Sequence, residues 1–365
     1  MTQSTGRGQG RSARLLAASD GLSSAAILAS LLLPPGQRVL RLPQVRRLDV
    51  DNLKADLFLP ECGPSPGIVL ALGALREGRR YELLQKAASS VSSCGFAVLV
   101  PELGRLRRLV LGGDAVNDLV HAALVLPGLD GVIDAPVGLI GFSLGGSLAL
   151  LAAAHPRLQG RVAFVAAMGA YFRLNDMLAA ATTEGTLLMP PSQYAIAASL
   201  VATLPDPDRE LLESALDAGR ETPLQAVSRI ETGSVGPRAR NILALLRNRD
   251  PSRIASLTSA IEDLPAMLAA LSPESVIDRL TVPIWALHDE RDRYVPFSQF
   301  EVLRSAAAGR PNWRFLATRV FEHTEPLPPM LNPRRLLGDY LPGLIKLFRF
   351  VHGPLATIRD AANRP

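Results

Sequence analysis

The sequence predicts an α/β protein: a mainly parallel, doubly wound sheet of about eight strands, interrupted by one large helical insertion. Three observations carry this expectation. Short apolar runs alternate with helical stretches along most of the 365 residues. Between Tyr171 and Leu280 the alternation stops, and amphipathic helical segments follow one another without a strand. One apolar run, ending at Ile140, breaks into Gly141-Phe142-Ser143-Leu144-Gly145 and passes at once into an Ala/Leu-rich helix. That succession of strand, sharp turn and helix exposes the serine at the turn.

Taken in order, residues 1–43 form an N-terminal extension. Arg7, Arg11 and Arg14 precede an apolar stretch from Leu15 to Leu33, which Asp20-Gly21 divides. Its continuous part, Leu22 to Leu33 before Pro34-Pro35, is shorter than a bilayer crossing requires. A helix packed on the domain is expected, with peripheral membrane contact through residues 15–33 as the alternative. Residues 44–171 hold the first part of the core. Val45 to Val50 and Ala55 to Leu59 read as an antiparallel hairpin closed by Asp51-Asn52. Ile68 to Leu72, Phe96 to Val100, Val137 to Ile140 and Val162 to Ala167 are largely apolar, as strands buried on both faces are. Helices are expected over Tyr81 to Ser93, Asp114 to Leu126 and Ser143 to Ala154. Residues 172–280 are the insertion, punctuated by prolines such as Pro190-Pro191, Pro223 and Pro265, and placed where a lid over the carboxyl ends of the strands would be spliced in. Residues 281–365 complete the core with strands at Val282 to Leu287 and Phe315 to Phe321, a helix over Phe297 to Ala308, and a C-terminal helix.

Composition narrows the function. With 48% hydrophobic and 20% charged residues, the chain belongs to neither the disordered nor the fibrous class. A net charge of +5 is spread along the sequence, only Lys54, Lys86 and Lys346 are lysines, and aromatics make up 5%. No basic block is interleaved with stacking rings, so no nucleic-acid partner is expected. The two cysteines, Cys62 and Cys94, can make no disulfide framework and lack ligand spacing. Neither a metal nor a cofactor is implied, and a cytoplasmic location is expected, with membrane association through residues 15–33 as the alternative.

A serine at such a turn becomes a nucleophile only with a base and a group that orients the base. The stretch Trp285 to Pro296 ends a strand and enters a turn, which places Asp292 where a carboxylate accepts from an imidazole N–H. Asp289, Glu290 and Asp176 are rivals for that role. After the last strand, His323 is the histidine that qualifies as base. His121, inside a helix, His155, at a helix C-terminus, His288, closing a strand, and His352, on the final helix, have ordinary structural explanations. The order Ser143, Asp292, His323 is that expected of α/β-hydrolases.

On Gly141-Phe142-Ser143-Leu144-Gly145-Gly146, the acid turn from Asp292 to Pro296, and Glu322-His323, the chain resembles bacterial α/β-hydrolases of the dienelactone-hydrolase and carboxylesterase type, as a subgroup with an enlarged helical lid. The likeness spans roughly residues 44–350 and implies an α/β-hydrolase fold and a Ser143, Asp292, His323 triad. It also implies an oxyanion hole made by the backbone N–H groups of Ala74 and Leu144. Such enzymes usually carry His-Gly after the third strand, whereas Leu72-Gly73 here keeps the glycine and loses the histidine. Asp289 and Glu322 stand where the family commonly has glycine, and a carboxylate beside the base would raise its pKa or compete with Asp292.

Arg76, just after the oxyanion loop, offers a guanidinium to a substrate carboxylate, the alternative being a solvated loop. Met177, Met189 and Met267 either line an acyl pocket or pack the insertion onto the core. The expected activity is hydrolysis of a carboxylic ester, lactone or related acyl bond through an acyl-enzyme, with a small-molecule acyl substrate as partner. Two alternatives stay open: an acyltransferase using the same triad, and a catalytically idle scaffold of the same fold.

Overall fold

The computed structural model describes residues 21–29, 43–182, 188–323, 325–326, 338 and 341–363. Its centre is an eight-stranded sheet: β1 (Gln44–Val50), β2 (Leu53–Leu59), β3 (Gly67–Ala71), β4 (Ala97–Pro101), β5 (Val137–Phe142), β6 (Val162–Met168), β7 (Ile284–Asp289) and β8 (Trp313–Thr318). The strand order is β1-β2-β4-β3-β5-β6-β7-β8. β1 and β2 form an antiparallel hairpin, β2 runs antiparallel to β4, and from β4 to β8 every pairing is parallel. Asp51 and Asn52 close the hairpin with φ of 48° and 68°, the left-handed pair that a tight two-residue turn requires.

Strand side chains alternate between two cores, as the two-residue period dictates. Val69, Leu139 and Val165 face one core with α3 (Gly113–Val125) and α4 (Leu144–Ala153). Ile68, Leu70 and Val98 face the other, with α2 (Glu82–Ser93) and the C-terminal helix (Leu341–Ala362). The helix over residues 21–29, α1, joins this second core through Ile27. Residues 15–20 and 30–33 of the expected apolar stretch lie outside the described residues. Among the described residues, no helix is long and apolar enough to cross a membrane.

Between β6 and β7 the chain forms α5 (Leu174–Thr182), α6 (Pro190–Val201), α7 (Asp208–Ala218), α8 (Pro223–Ser228), α9 (Pro237–Arg247), α10 (Ile254–Ser259) and α11 (Leu264–Ala270). Proline stands in the first turn of α6, α8, α9 and α11, where its missing N–H removes no helical bond. Pro190, Pro191, Pro223, Pro237 and Pro265 are therefore helix starts. Leu212 and Leu216 of α7 and Ile242, Leu243, Leu245 and Leu246 of α9 are buried. The insertion thus has an apolar interior of its own.

One expected strand is corrected. The apolar run Phe315 to Phe321 is not continuous: β8 ends at Thr318, and Phe321 opens a separate two-residue strand, β9 (Phe321–Glu322), paired antiparallel with β10 (Glu325–Pro326). Polar side chains make the break. Thr318 Oγ1 accepts from Val320 N at 3.3 Å, and Asp289 Oδ2 accepts from Phe321 N at 3.1 Å, so the chain turns away from the sheet before Phe321. His323 sits at the tip of this small hairpin with φ of 59°. α12 (Phe297–Ala306) and α13 (Leu341–Ala362) complete the fold.

Candidate active site

Ser143 lies between β5 and α4 with φ of 56° and ψ of −132°, a conformation that non-glycine residues rarely adopt. The turn is held by Ser143 N donating to Met168 O at 2.7 Å and Gly146 N donating to Ser143 O at 2.9 Å. Its flanking glycines are sterically required. A Cβ on Gly141 would stand 2.2 Å from the Gly145 carbonyl oxygen, and one on Gly145 would stand 2.6 Å from that of Ala71. Gly73 is equally tight, because its Cβ would stand 2.9 Å from Ser143 Cβ and 3.0 Å from the Leu144 backbone nitrogen. Leu144 is the first residue of α4, so its N–H is among those a helix leaves without an internal acceptor.

His323 and Asp292 meet directly. Nδ1 of His323 donates to Oδ2 of Asp292 at 2.7 Å, with both side chains buried. Oδ1 of Asp292 accepts from the backbone N–H groups of Tyr294 at 2.8 Å and Val295 at 2.9 Å, which fixes the carboxylate. The ring of Tyr294 stacks on that of His323 at 4.8 Å between centroids. Below the pair runs Gly169, just after β6, with φ of 61°. A Cβ there would be 3.1 Å from His323 Cε1 and 3.4 Å from Asp292 Oδ2.

The rival carboxylates are engaged elsewhere. Asp289 accepts from the N–H groups of Arg291 at 2.9 Å and Phe321 at 3.1 Å, and burial pushes its pKa above the usual carboxylate range. Glu290 pairs with Arg319 at 2.7 Å near the surface. Asp176 lies on α5, and it is Asp292 that binds His323. The side chain of Glu322 lies outside the described residues.

Ser143 and His323 line one cavity of about 400 Å³, together with Gly73, Ala74 and Leu144. Its other walls are mostly apolar: Leu72, Leu109 and Leu111 from the core and Met177, Met189 and Met267 from the helical insertion, with Tyr81, Tyr171, Ser192, Ser199 and Tyr294 among them. Among the described residues, no Asp, Glu, Lys or Arg lines it. Arg76 is not in this cavity. Its guanidinium donates to Asp217 Oδ1 at 2.9 Å and Tyr194 Oη at 3.2 Å, and it lines a separate groove with Arg105, Arg107 and Arg108. Among the described residues, no group of three or more His, Cys, Asp or Glu is placed to hold a metal ion.

Two residues at the site carry no motif in the sequence. His288, at the end of β7, is buried, with Nε2 2.9 Å from the Val295 carbonyl oxygen and 3.3 Å from Asp292 Oδ2. Burial lowers its pKa and keeps the ring neutral. The readable signal was its four-residue spacing from Asp292. Gly169 was signalled only by its place one residue beyond an apolar strand.

No protein-family model matches the chain, and no curated protein matches it. Solved structures do share its fold. A puromycin-hydrolyzing peptidase of Mycobacterium tuberculosis superposes with a TM-score of 0.51 at 18% identity, covering 91% of this chain, which spans only 41% of that protein's length. A 2,6-dihydroxy-pseudo-oxynicotine hydrolase superposes at 0.47 with 16% identity, over 86% of this chain and 68% of the other. A dienelactone hydrolase from Anabaena variabilis superposes at 0.46 with 14% identity, over 87% of this chain and 98% of the other.

Proposed function

We propose that this chain, which has the α/β-hydrolase fold, is a serine hydrolase that cleaves a carboxylic ester or related acyl bond carrying an uncharged, apolar acyl group. One observation carries the reading. A serine held at left-handed φ on a helix N-terminus shares a largely apolar cavity with a histidine whose Nδ1 is bound to a buried carboxylate. The reading implies a sequence of steps. Ser143 Oγ attacks the acyl carbonyl while Nε2 of His323 takes its proton, and Asp292 steadies the imidazolium through Nδ1–H. In this reading the oxyanion accepts from the N–H groups of Leu144 and Ala74, both of which line the cavity with Ser143. Collapse expels the alcohol, protonated by His323. Water then repeats the cycle on the acyl-serine.

Absence of charge among the described residues of the cavity wall favours a neutral acyl group, because a carboxylate or ammonium desolvated there would have no partner among them. The helical insertion acts as the lid, since Met177, Met189 and Met267 line the cavity. A fluorophosphonate probe tests the reading. Covalent labelling of the wild type, with none in Ser143→Ala, is expected. A folded protein that resists the probe would overturn the nucleophile and leave an idle scaffold.

A further inference from the structure

We propose that His288 is a positioning residue for the acid of the triad: its Nε2–H dipole, held beside Oδ2 of Asp292, offsets part of that oxygen's charge and thereby sets how much of it the base receives. The inference rests on the reading of Ser143, His323 and Asp292 above, and it begins from a tautomer. A backbone carbonyl can only accept, so the 2.9 Å contact between His288 Nε2 and Val295 O puts the proton on Nε2. The same nitrogen lies 3.3 Å from Asp292 Oδ2, in direct electrostatic contact while its N–H is given to Val295 O. Oδ1 takes two main-chain N–H groups, and Oδ2 takes His323 with the His288 ring held beside it.

Packing fixes the second imidazole. The ring lies within 5.9 Å of Phe297 and 5.8 Å of Phe300 between centroids, and it is 1% exposed. The titratable groups facing it are Asp292, from its own turn, and His323, from the hairpin of β9 and β10. Asp289, next along β7, gives its oxygens to main-chain N–H groups, and the Arg291 guanidinium reaches Asp289. His288 therefore acts as a fixed neutral dipole. Because Oδ1 is anchored independently, removing that dipole leaves the carboxylate in place and returns more of its charge to His323. The imidazolium form of the base would gain from this, and the base would need a higher pH to be free.

The test compares His288→Leu, which removes the donor, with His288→Gln, which keeps an N–H at similar reach, in the full chain. With a p-nitrophenyl ester, the acid limb of kcat/KM in His288→Leu should move up by roughly half a pH unit, the size expected when one neutral dipole is removed from beside a carboxylate. The plateau should change by less than about threefold, and His288→Gln should restore the wild-type limb. A limb that stays in place or moves down in folded His288→Leu overturns the proposal, as does a limb in His288→Gln displaced like that of His288→Leu. Proton NMR reads the same quantity without turnover, because the low-field Nδ1–H of His323 should move further downfield in His288→Leu. If the leucine variant does not fold, nitrogen-15 spectra of the wild type decide. Neutral His288 protonated on Nε2 supports the proposal, and protonation on Nδ1 overturns it. Shifted resonances in a protein that no fluorophosphonate labels would keep the coupling of the two imidazoles while rejecting the hydrolase.

Discussion

Placing a methyl group on Gly169 tests whether the His323–Asp292 pair does the chemistry. The added Cβ would stand 3.1 Å from Cε1 and 3.2 Å from Nδ1 of His323, and 3.4 Å from Asp292 Oδ2. Carbon atoms in ordinary contact lie about 3.5 Å or more apart, so the ring must retreat by roughly 0.4 Å. It has little room, because Tyr294 stacks on it at 4.8 Å and Asp292 holds it at 2.7 Å. If an ångström of misplacement costs about 100-fold, 0.4 Å corresponds to roughly a sixfold loss of kcat/KM. Backbone strain must be separated from this, since alanine at φ of 61° also destabilises the fold by about 1–2 kcal/mol. Gly160 supplies the control: its φ is 73°, and a Cβ there meets nothing within 4 Å. Gly169→Ala and Gly160→Ala should therefore lose similar stability in urea titrations, while only Gly169→Ala loses activity toward a short p-nitrophenyl ester. Equal activities in the two variants, both folded, would refute the assignment of the pair.

Three further outcomes follow from the same geometry. Asp292→Asn should lower ester turnover by about 10⁴-fold by favouring the wrong His323 tautomer, and Asp176→Asn should not; steady-state kinetics with the reverse result would move the acid elsewhere. Ala195→Trp, which fills part of the cavity from α6, should shift preference toward short acyl groups. Excluding three methylenes at about 0.8 kcal/mol each corresponds to roughly a 60-fold change in the octanoate-to-acetate ratio of kcat/KM. Stability should fall on acidification through His288. The buried ring stays neutral when folded, whereas the unfolded chain takes up a proton below the ordinary value of 6.5. The contribution is therefore present above that pH and lost below it, and denaturant midpoints at pH 7.5 and 5.5 should differ less in His288→Gln than in the wild type.

The sheet was legible because strands buried on both faces must be apolar almost throughout, and Ile68 to Leu72 or Val162 to Ala167 leave no other reading. Ser143, Asp292 and His323 were candidates in the sequence because each follows a strand in the expected chain order, and in the structure His323 meets Asp292 and shares a cavity with Ser143. What failed depended on contacts distant in sequence. Phe315 to Phe321 looked like one strand because hydropathy does not register that Asp289 captures the N–H of Phe321. Arg76 looked like a substrate contact because it follows the oxyanion loop, yet Asp217 on the insertion, 141 residues away, holds its guanidinium. His288 was passed over because strand-closing histidines are common, and its 3.3 Å contact with Asp292 spans a turn rather than a helix face.

Asp289, Glu290 and Asp292 place three carboxylates within four residues, an arrangement that in isolation would set them in competition for one imidazole. The fold separates them by giving each a different partner. Glu290 is matched by Arg319, and Asp292 is committed to His323. Asp289 is committed to the main chain on both sides of the gap between β7 and β9, with Oδ1 on Arg291 and Oδ2 on Phe321. The residue that replaces the glycine usual in the acid turn is thus a strap that ties the strand bearing His288 to the hairpin bearing His323. Accepting an N–H on each oxygen favours the ionised form, because protonation makes one oxygen a hydroxyl, which donates and accepts only weakly. Burial raises the pKa of Asp289, so falling pH protonates it before an ordinary aspartate and loosens the strap. Acid therefore reaches the site through the carboxylate that holds the hairpin of His323 against the sheet.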